Sequence, residues 1–103
     1  MPPAGLRRVW RPYDNCPLPS AEEALQVSLR AFPSWFLKVT CGRCGQAQLV
    51  NEAHAPWRHV RLSVILARMR HDGCGGRPAY VELLSGIEDI STRPVRRIVL
   101  RAG

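Results

Sequence analysis

The sequence has no long apolar run. No stretch approaches the roughly 20 apolar residues that a membrane-spanning helix needs, and the first eight residues lack the apolar core of a signal peptide. We therefore predict a cytoplasmic protein without a membrane partner. With 103 residues the chain is short enough for one domain. Its prolines divide it into an N-terminal arm over residues 1–19 and a single domain over residues 20–103.

Lysine is nearly missing as well. Of the 15 Lys and Arg residues only Lys38 is lysine, and the formal net charge is +7. A basic chain attracts nucleic acid or acidic partners. An arginine excess beside abundant alanine, glycine and proline is also typical of a GC-rich genome, so composition alone leaves both explanations open.

Cysteine is scarce, with four residues in the chain. In a reducing compartment, clustered cysteines bind metal or do chemistry more often than they form disulfides. A chain of this size buries only about 60 to 65 % of its unfolded surface, so its core alone is marginal. A bound metal ion is the first additional constraint to consider.

Two short segments share the layout ligand-x-x-ligand-Gly. Residues 41–45 read Cys-Gly-Arg-Cys-Gly, and residues 71–75 read His-Asp-Gly-Cys-Gly. In such a turn, a zinc knuckle, backbone N–H groups point at the ligand atoms and the closing glycine takes a conformation that side chains resist. Two knuckles supply four ligands for a tetrahedral ion. We predict a Zn²⁺ cofactor bound by Cys41, Cys44, His71 and Cys74.

This ligand set leaves no open coordination position, whereas catalytic zinc keeps one for water. The sequence also offers no nucleophile, base and orienting group at a recognisable spacing, because Asp72, Glu88 and Asp89 are interpreted as turn and surface residues. We expect no catalytic residues, no enzyme activity and no small-molecule substrate. A redox role for Cys41 and Cys44 is the weaker alternative, since no βαβ pattern surrounds them.

Other residues near the knuckles are open to two interpretations. Arg43 and Arg77 either donate hydrogen bonds to the thiolate sulfurs or are solvated loop residues. Cys16, His54 and His59 have no partner at knuckle spacing and are not assigned as ligands.

Local patterns predict an α+β fold, with β-hairpin knuckles, a helix inserted between the half-sites and an N-terminal packing helix. Ser20 and Glu23 form a capping box that begins the first helix, and Pro33 prevents its continuation. Trp10 and Tyr13 are expected to anchor the arm by packing on the domain. Helices are predicted over 21–31 and 56–69, and strands over 35–40, 47–50, 77–84 and 95–101. The buried stripe of the second helix is Leu62, Ile65, Leu66 and Met69.

A longer pattern surrounds the half-sites. Residues 37–45 read Leu-Lys-Val-Thr-Cys-Gly-Arg-Cys-Gly, residues 66–70 read Leu-Ala-Arg-Met-Arg, and the second knuckle continues into Gly-Arg-Pro-Ala. Over about residues 35 to 84 the chain resembles a group of small bacterial zinc-ribbon proteins. The resemblance implies a zinc-ribbon-like domain and a bound metal, and it implies no cellular role. His71 stands where that pattern has a cysteine.

Arginines give the best indication of a partner. Helical spacing over 56–69 places Arg61 and Arg68 on one edge of the apolar stripe, with His59 and Arg70 on the other edge. Near the C terminus, the arginines at 93, 96, 97 and 101 form a patch without acidic residues, and those at 97 and 101 share one strand face. We predict contacts with a DNA or RNA backbone through Arg61, Arg68, Arg96, Arg97 and Arg101.

The alternative is a protein-interaction module or accessory subunit with no nucleic-acid role. Its partner would be anchored by an exposed aromatic residue, Trp35, Trp57 or Tyr80. Trp35 also fits a core position.

Overall fold

The computed structural model describes residues 9–12, 17–87 and 94–102. The predicted residues Tyr13, Cys16, Glu88, Asp89 and Arg93 lie outside this part of the chain. In chain order the described elements are α1 (Ala21–Leu25), a 3₁₀ turn (Leu29–Ala31), β1 (Phe36–Cys41), β2 (Ala47–Asn51), α2 (Leu62–Arg68), β3 (Pro78–Leu84) and β4 (Arg97–Arg101). The strands form one antiparallel sheet in the order β2-β1-β3-β4. The predicted α+β class is confirmed.

The core lies on one face of this sheet. Leu37 of β1 is paired with Leu83 of β3, and Leu83 is paired with Ile98 of β4. All three side chains are buried, because alternate residues of a strand point to the same face. Against them pack side chains from both helices and from the segment between α1 and β1. These are Ala24, Leu29, Phe32, Trp35, Leu62 and Leu66.

The predicted strands are confirmed to within two residues at each end. In β4 the exposed and buried positions alternate as predicted, with Ile98 and Leu100 buried and Arg97 and Arg101 exposed. Strands are recognised well here because their β-branched and aromatic runs are bounded by glycine and proline.

The first helix is shorter than predicted. Ser20 caps it as expected, since its hydroxyl accepts a hydrogen bond from the Glu23 N–H at 3.1 Å. The helix ends at Leu25, and the prediction of one helix over 21–31 is wrong. The following residues pair with a distant segment instead: the Val27 carbonyl accepts from the Leu62 N–H at 2.9 Å, and Ser28 forms a β-bridge with Arg61.

The second helix begins at Leu62 rather than at Pro56. The same long-range pairing explains the difference, because Arg61 is extended in the bridge with Ser28. Leu62 and Leu66 are buried as predicted. The placement of His59 and Arg70 on a helix edge is wrong, since both residues lie outside α2.

The described part of the proline-rich arm contributes to the core. Trp10 is 5 % exposed and stacks on Phe32 with 5.2 Å between ring centroids. Its backbone N–H donates to the Ala31 carbonyl at 2.8 Å. The predicted anchoring role of Trp10 is therefore confirmed. Among the described residues, no helix has the length and apolar character that a membrane span requires.

Candidate metal centre

The sheet brings the two knuckles to the same end of the molecule. The first knuckle, residues 41–45, begins at the last residue of β1, and the second, residues 71–75, precedes β3. Because β1 and β3 are adjacent and antiparallel, Cys41 at the end of β1 is paired with Pro78 at the start of β3. The Gly42 N–H also donates to the Arg77 carbonyl at 2.9 Å. This pairing places the two turns side by side.

The four predicted ligand residues converge. The Sγ atoms of Cys41 and Cys74 are 3.4 Å apart, and Nδ1 of His71 lies 3.3 Å from Sγ of Cys44 and 3.3 Å from Sγ of Cys74. All four ligand atoms lie within 4.8 Å of one another. A tetrahedron with metal–sulfur bonds of about 2.3 Å has edges of about 3.5 to 3.8 Å. The group can therefore hold one metal ion with small adjustments.

Both knuckles have the predicted turn geometry. The Gly45 N–H donates to the Cys41 carbonyl at 3.0 Å, and the Gly75 N–H donates to the His71 carbonyl at 2.6 Å. The closing glycines have φ values of 76° and 73°. This left-handed conformation is unfavourable for residues with a side chain.

Gly76 allows the two knuckles to pack closely against each other. A Cβ atom added at Gly76 would lie 2.5 Å from Sγ of Cys41 and 2.6 Å from Cβ of Arg43. The two knuckles can approach this closely only because position 76 has no side chain. The importance of Gly76 was not predicted. The sequence indicates it only by a second glycine that directly follows Gly75, the last residue of the second knuckle.

Backbone hydrogen bonds favour negative charge on the buried sulfur. The N–H groups of Cys44 and Arg43 lower the pKa of Cys41 to about 6, and the Arg43 nitrogen lies 3.4 Å from this sulfur. For Cys74, the Gly76 N–H acts to lower the pKa, but burial and the neighbouring Cys41 and Cys44 sulfurs outweigh it, so the pKa is raised. Negative charge is therefore favoured on Cys41 and disfavoured on Cys74.

The arginines beside the cluster act on the backbone. Nη1 of Arg43 donates to the Cys74 carbonyl at 3.1 Å. Of the two interpretations left open for Arg43, the described side-chain contact is with the backbone of the second knuckle rather than with a sulfur. Arg77 has an exposed side chain, and its backbone carbonyl accepts the hydrogen bond from the Gly42 N–H.

The other histidines have partners away from the cluster. His54 Nδ1 lies 2.7 Å from Oδ1 of Asn51, and His59 Nδ1 lies 3.2 Å from Nη1 of Arg30. Within the described part of the chain, the cluster of three cysteines and one histidine is the group that can hold a metal.

The predicted nucleic-acid contacts do not form one surface. Arg61 and Arg68 are exposed on the helical side of the core, whereas Arg97 lies on the opposite face of the sheet. There it contacts Glu82 at 3.7 Å, so the C-terminal patch is not free of acidic residues. Glu82 belongs to β3, and its proximity could not be read from the sequence around Arg97.

The two remaining predicted arginines, Arg96 and Arg101, also form hydrogen bonds within the protein. Nη1 of Arg101 donates to the Pro78 carbonyl at 3.2 Å. Arg96 is half-buried, and its N–H donates to Oγ of Ser85 at 2.7 Å. Arg97 and Arg101 therefore lie on the face of the sheet opposite the helices, because the alternating residues Ile98 and Leu100 are buried in the core.

The predicted aromatic anchors are less accessible than expected. Trp35 is fully buried and packs edge-on against Phe32, so its role as an exposed anchor is wrong. Trp57 and Tyr80 are half-buried. The Tyr80 hydroxyl donates to Oε2 of Glu82 at 3.0 Å, and this carboxylate raises the pKa of Tyr80.

Fold and site together define a small α+β module with a cluster of three cysteines and one histidine at one end of its sheet that could hold a metal ion. Comparisons with protein-family models, curated proteins and solved structures found no match to this chain. Its resemblance to small zinc-ribbon proteins therefore stays a prediction.

Proposed function

We propose that this protein is a non-catalytic, zinc-ribbon-like module in which Zn²⁺ has a structural role. The observation that carries the proposal is the convergence of three thiols and one imidazole from two matched turns. Thiolate and imidazole ligands in a tetrahedron are typical of zinc. Four protein ligands fill the shell, so no position remains at which the ion would activate water.

A metal ion at this place would stabilise the fold. It would link the end of β1, through Cys41, to the loop that leads into β3, through Cys74. Most residues of both knuckles are exposed, so apolar burial contributes little to their order. Binding energy for structural zinc is largely folding energy.

Elemental analysis tests this proposal directly. The purified protein should contain one zinc per chain, and Cys44→Ser should lose the metal together with cooperative unfolding. The matched control is Cys16→Ser, the same exchange at the cysteine outside the predicted ligand set, which should keep its zinc. A metal-free protein with unchanged stability would contradict the proposal.

For the partner, we propose the nucleic-acid backbone. The net charge of +7 and the exposure of Arg61 and Arg68 support this role. The alternative protein-interaction role has less support, because Trp35 is buried and Tyr80 is bonded to Glu82. Absence of binding to DNA and RNA at low salt would overturn the nucleic-acid role and leave the zinc proposal intact.

A further inference from the structure

The long-range pairing that shortens both helices also assembles basic residues from two segments. The Arg30 N–H donates to the Arg58 carbonyl at 3.2 Å, and Ser28 is bridged to Arg61. Residues 28–30 and 58–61 therefore lie side by side. The arginine cluster, as we name this group, consists of Arg30, Arg58, His59, Arg61 and Arg68.

Hydrogen bonds orient part of this cluster. Nη1 of Arg30 lies 3.2 Å from Nδ1 of His59. Since a guanidinium only donates, Nδ1 is the acceptor, and His59 carries its proton on Nε2. Arg58 is held by a hydrogen bond from its Nη1 to the Ala55 carbonyl at 3.2 Å. A guanidinium carries five N–H groups, and the contact described for each arginine involves only Nη1. The other N–H groups can donate to an external ligand.

Arg61 and Arg68 extend the cluster along α2. Arg61 precedes the helix and Arg68 ends it, and both are exposed. Seven residues correspond to about two turns, or about 10 Å along the helix axis, so Arg68 continues the basic surface beyond Arg61. Val64 lies between them in the chain, and it is 37 % exposed.

No ion pair with an acidic residue is found for this cluster in the part of the chain that the structure describes. Among residues 9–12, 17–87 and 94–102, the ion pair found is that of Arg97 with Glu82, and it involves none of the four arginines of the cluster. Uncompensated guanidinium groups raise the local concentration of anions. Their planar forks match the oxygens of a phosphate group.

We infer that the arginine cluster is the site that binds the phosphates of a nucleic-acid backbone, and that Arg96, Arg97 and Arg101 are not part of it. This inference rests on the proposed nucleic-acid role and names its site. Arg30, Arg58 and His59 are new members of the predicted set, and Arg30 is 28 residues from Arg58 in the chain, so the linear sequence gives no reason to group these two. Binding through phosphates is independent of base sequence.

Salt titration of a labelled 20-base-pair DNA duplex and of the RNA duplex of the same sequence tests the site. The double variant Arg30→Gln/Arg61→Gln should reduce the slope of log affinity against log salt by about 2, since each lost phosphate contact removes about 0.9. The control Arg96→Gln/Arg101→Gln removes the same charge from the C-terminal segment and should leave the slope nearly unchanged. Equal losses in the two double variants would overturn the inference.

A second pair of variants adds an acid instead of removing a base. Val64 and Val99 are each 37 % exposed, one inside the arginine cluster and the other in β4. Val64→Glu should weaken duplex binding about tenfold, and Val99→Glu by less than about twofold, because repulsion between a carboxylate and phosphates is short-ranged in salt. Zinc content equal to that of the unmodified protein confirms that both variants are folded.

The outcomes separate the inference from the proposed function. If Val99→Glu weakens binding as much as Val64→Glu, or more, the site is wrong but the nucleic-acid role stands. If the unmodified protein binds neither duplex at low salt, the nucleic-acid role fails and the inference fails with it.

Discussion

At the scale of single residues, the four side chains that converge could be predicted and the glycine packed against them could not. Cys41, Cys44, His71 and Cys74 follow from two matched turns whose spacing is visible in the sequence. Gly76 is required because Sγ of Cys41, far away in the chain, comes within 2.5 Å of where its Cβ would be. The role of Arg43 depends likewise on the second knuckle, which the local sequence does not show.

Two glycine substitutions separate turn conformation from ligand packing. Gly76→Ala should lower zinc affinity about tenfold or more, because its methyl group displaces a ligand sulfur. Gly45→Ala meets no atom within 4 Å but has a φ of +76°, so it should cost stability, about 1 kcal/mol, with a smaller loss of affinity. Competition with a chromogenic chelator measures affinity. A larger loss for Gly45→Ala than for Gly76→Ala would contradict the packing explanation.

Zinc affinity should fall as the pH is lowered, because the ligands bind zinc only after losing their protons. The pKa of Cys74 is raised and that of Cys41 is about 6. Between pH 8 and 6 only Cys74 of this pair is protonated, so affinity should fall at least about tenfold per pH unit. Below pH 6 Cys41 is protonated too, and this proton should add a further factor of about ten per pH unit. Chelator competition from pH 8 to 5 measures this, and a flat profile would contradict thiolate ligation.

At the scale of elements, the strands and the presence of both helices were predictable, but the lengths of the helices were not. The helices have five and seven residues, too few to be stable by local propensity. The end of α1 and the start of α2 are set by the pairing of Val27 with Leu62 and of Ser28 with Arg61. A capping box identifies where α1 begins, but no local signal indicates where a distant segment will pair.

The N-terminal segment should contribute strongly to stability through one side chain. Trp10→Ala removes a ring that stacks on Phe32 in the core, so unfolding free energy should fall by about 3 to 5 kcal/mol. The neighbouring control Arg11→Ala changes an exposed residue and should change stability by less than about 0.5 kcal/mol. Urea unfolding of the zinc-loaded protein measures both. A loss below about 1 kcal/mol for Trp10→Ala would show that the segment is not part of the core.

At the scale of the whole molecule, the sheet separates two kinds of surface. The helices pack on one face, on which Arg61 and Arg68 are exposed, while the other face bears the Tyr80–Glu82–Arg97 contacts. Both groups of arginines were predicted as contacts because the sequence cannot show on which side of a sheet a residue lies. The cluster of three cysteines and one histidine lies at one end of this sheet, beside the end of β1 and the start of β3.

The most direct test of the metal centre is X-ray absorption at the zinc edge of the zinc-loaded protein. The spectrum should require three sulfur ligands at about 2.3 Å and one nitrogen ligand at about 2.0 to 2.1 Å. This is the ligand count that Cys41, Cys44, Cys74 and His71 supply as a closed shell. A shell of four sulfurs, or one that includes a water oxygen, would contradict the proposed structural centre.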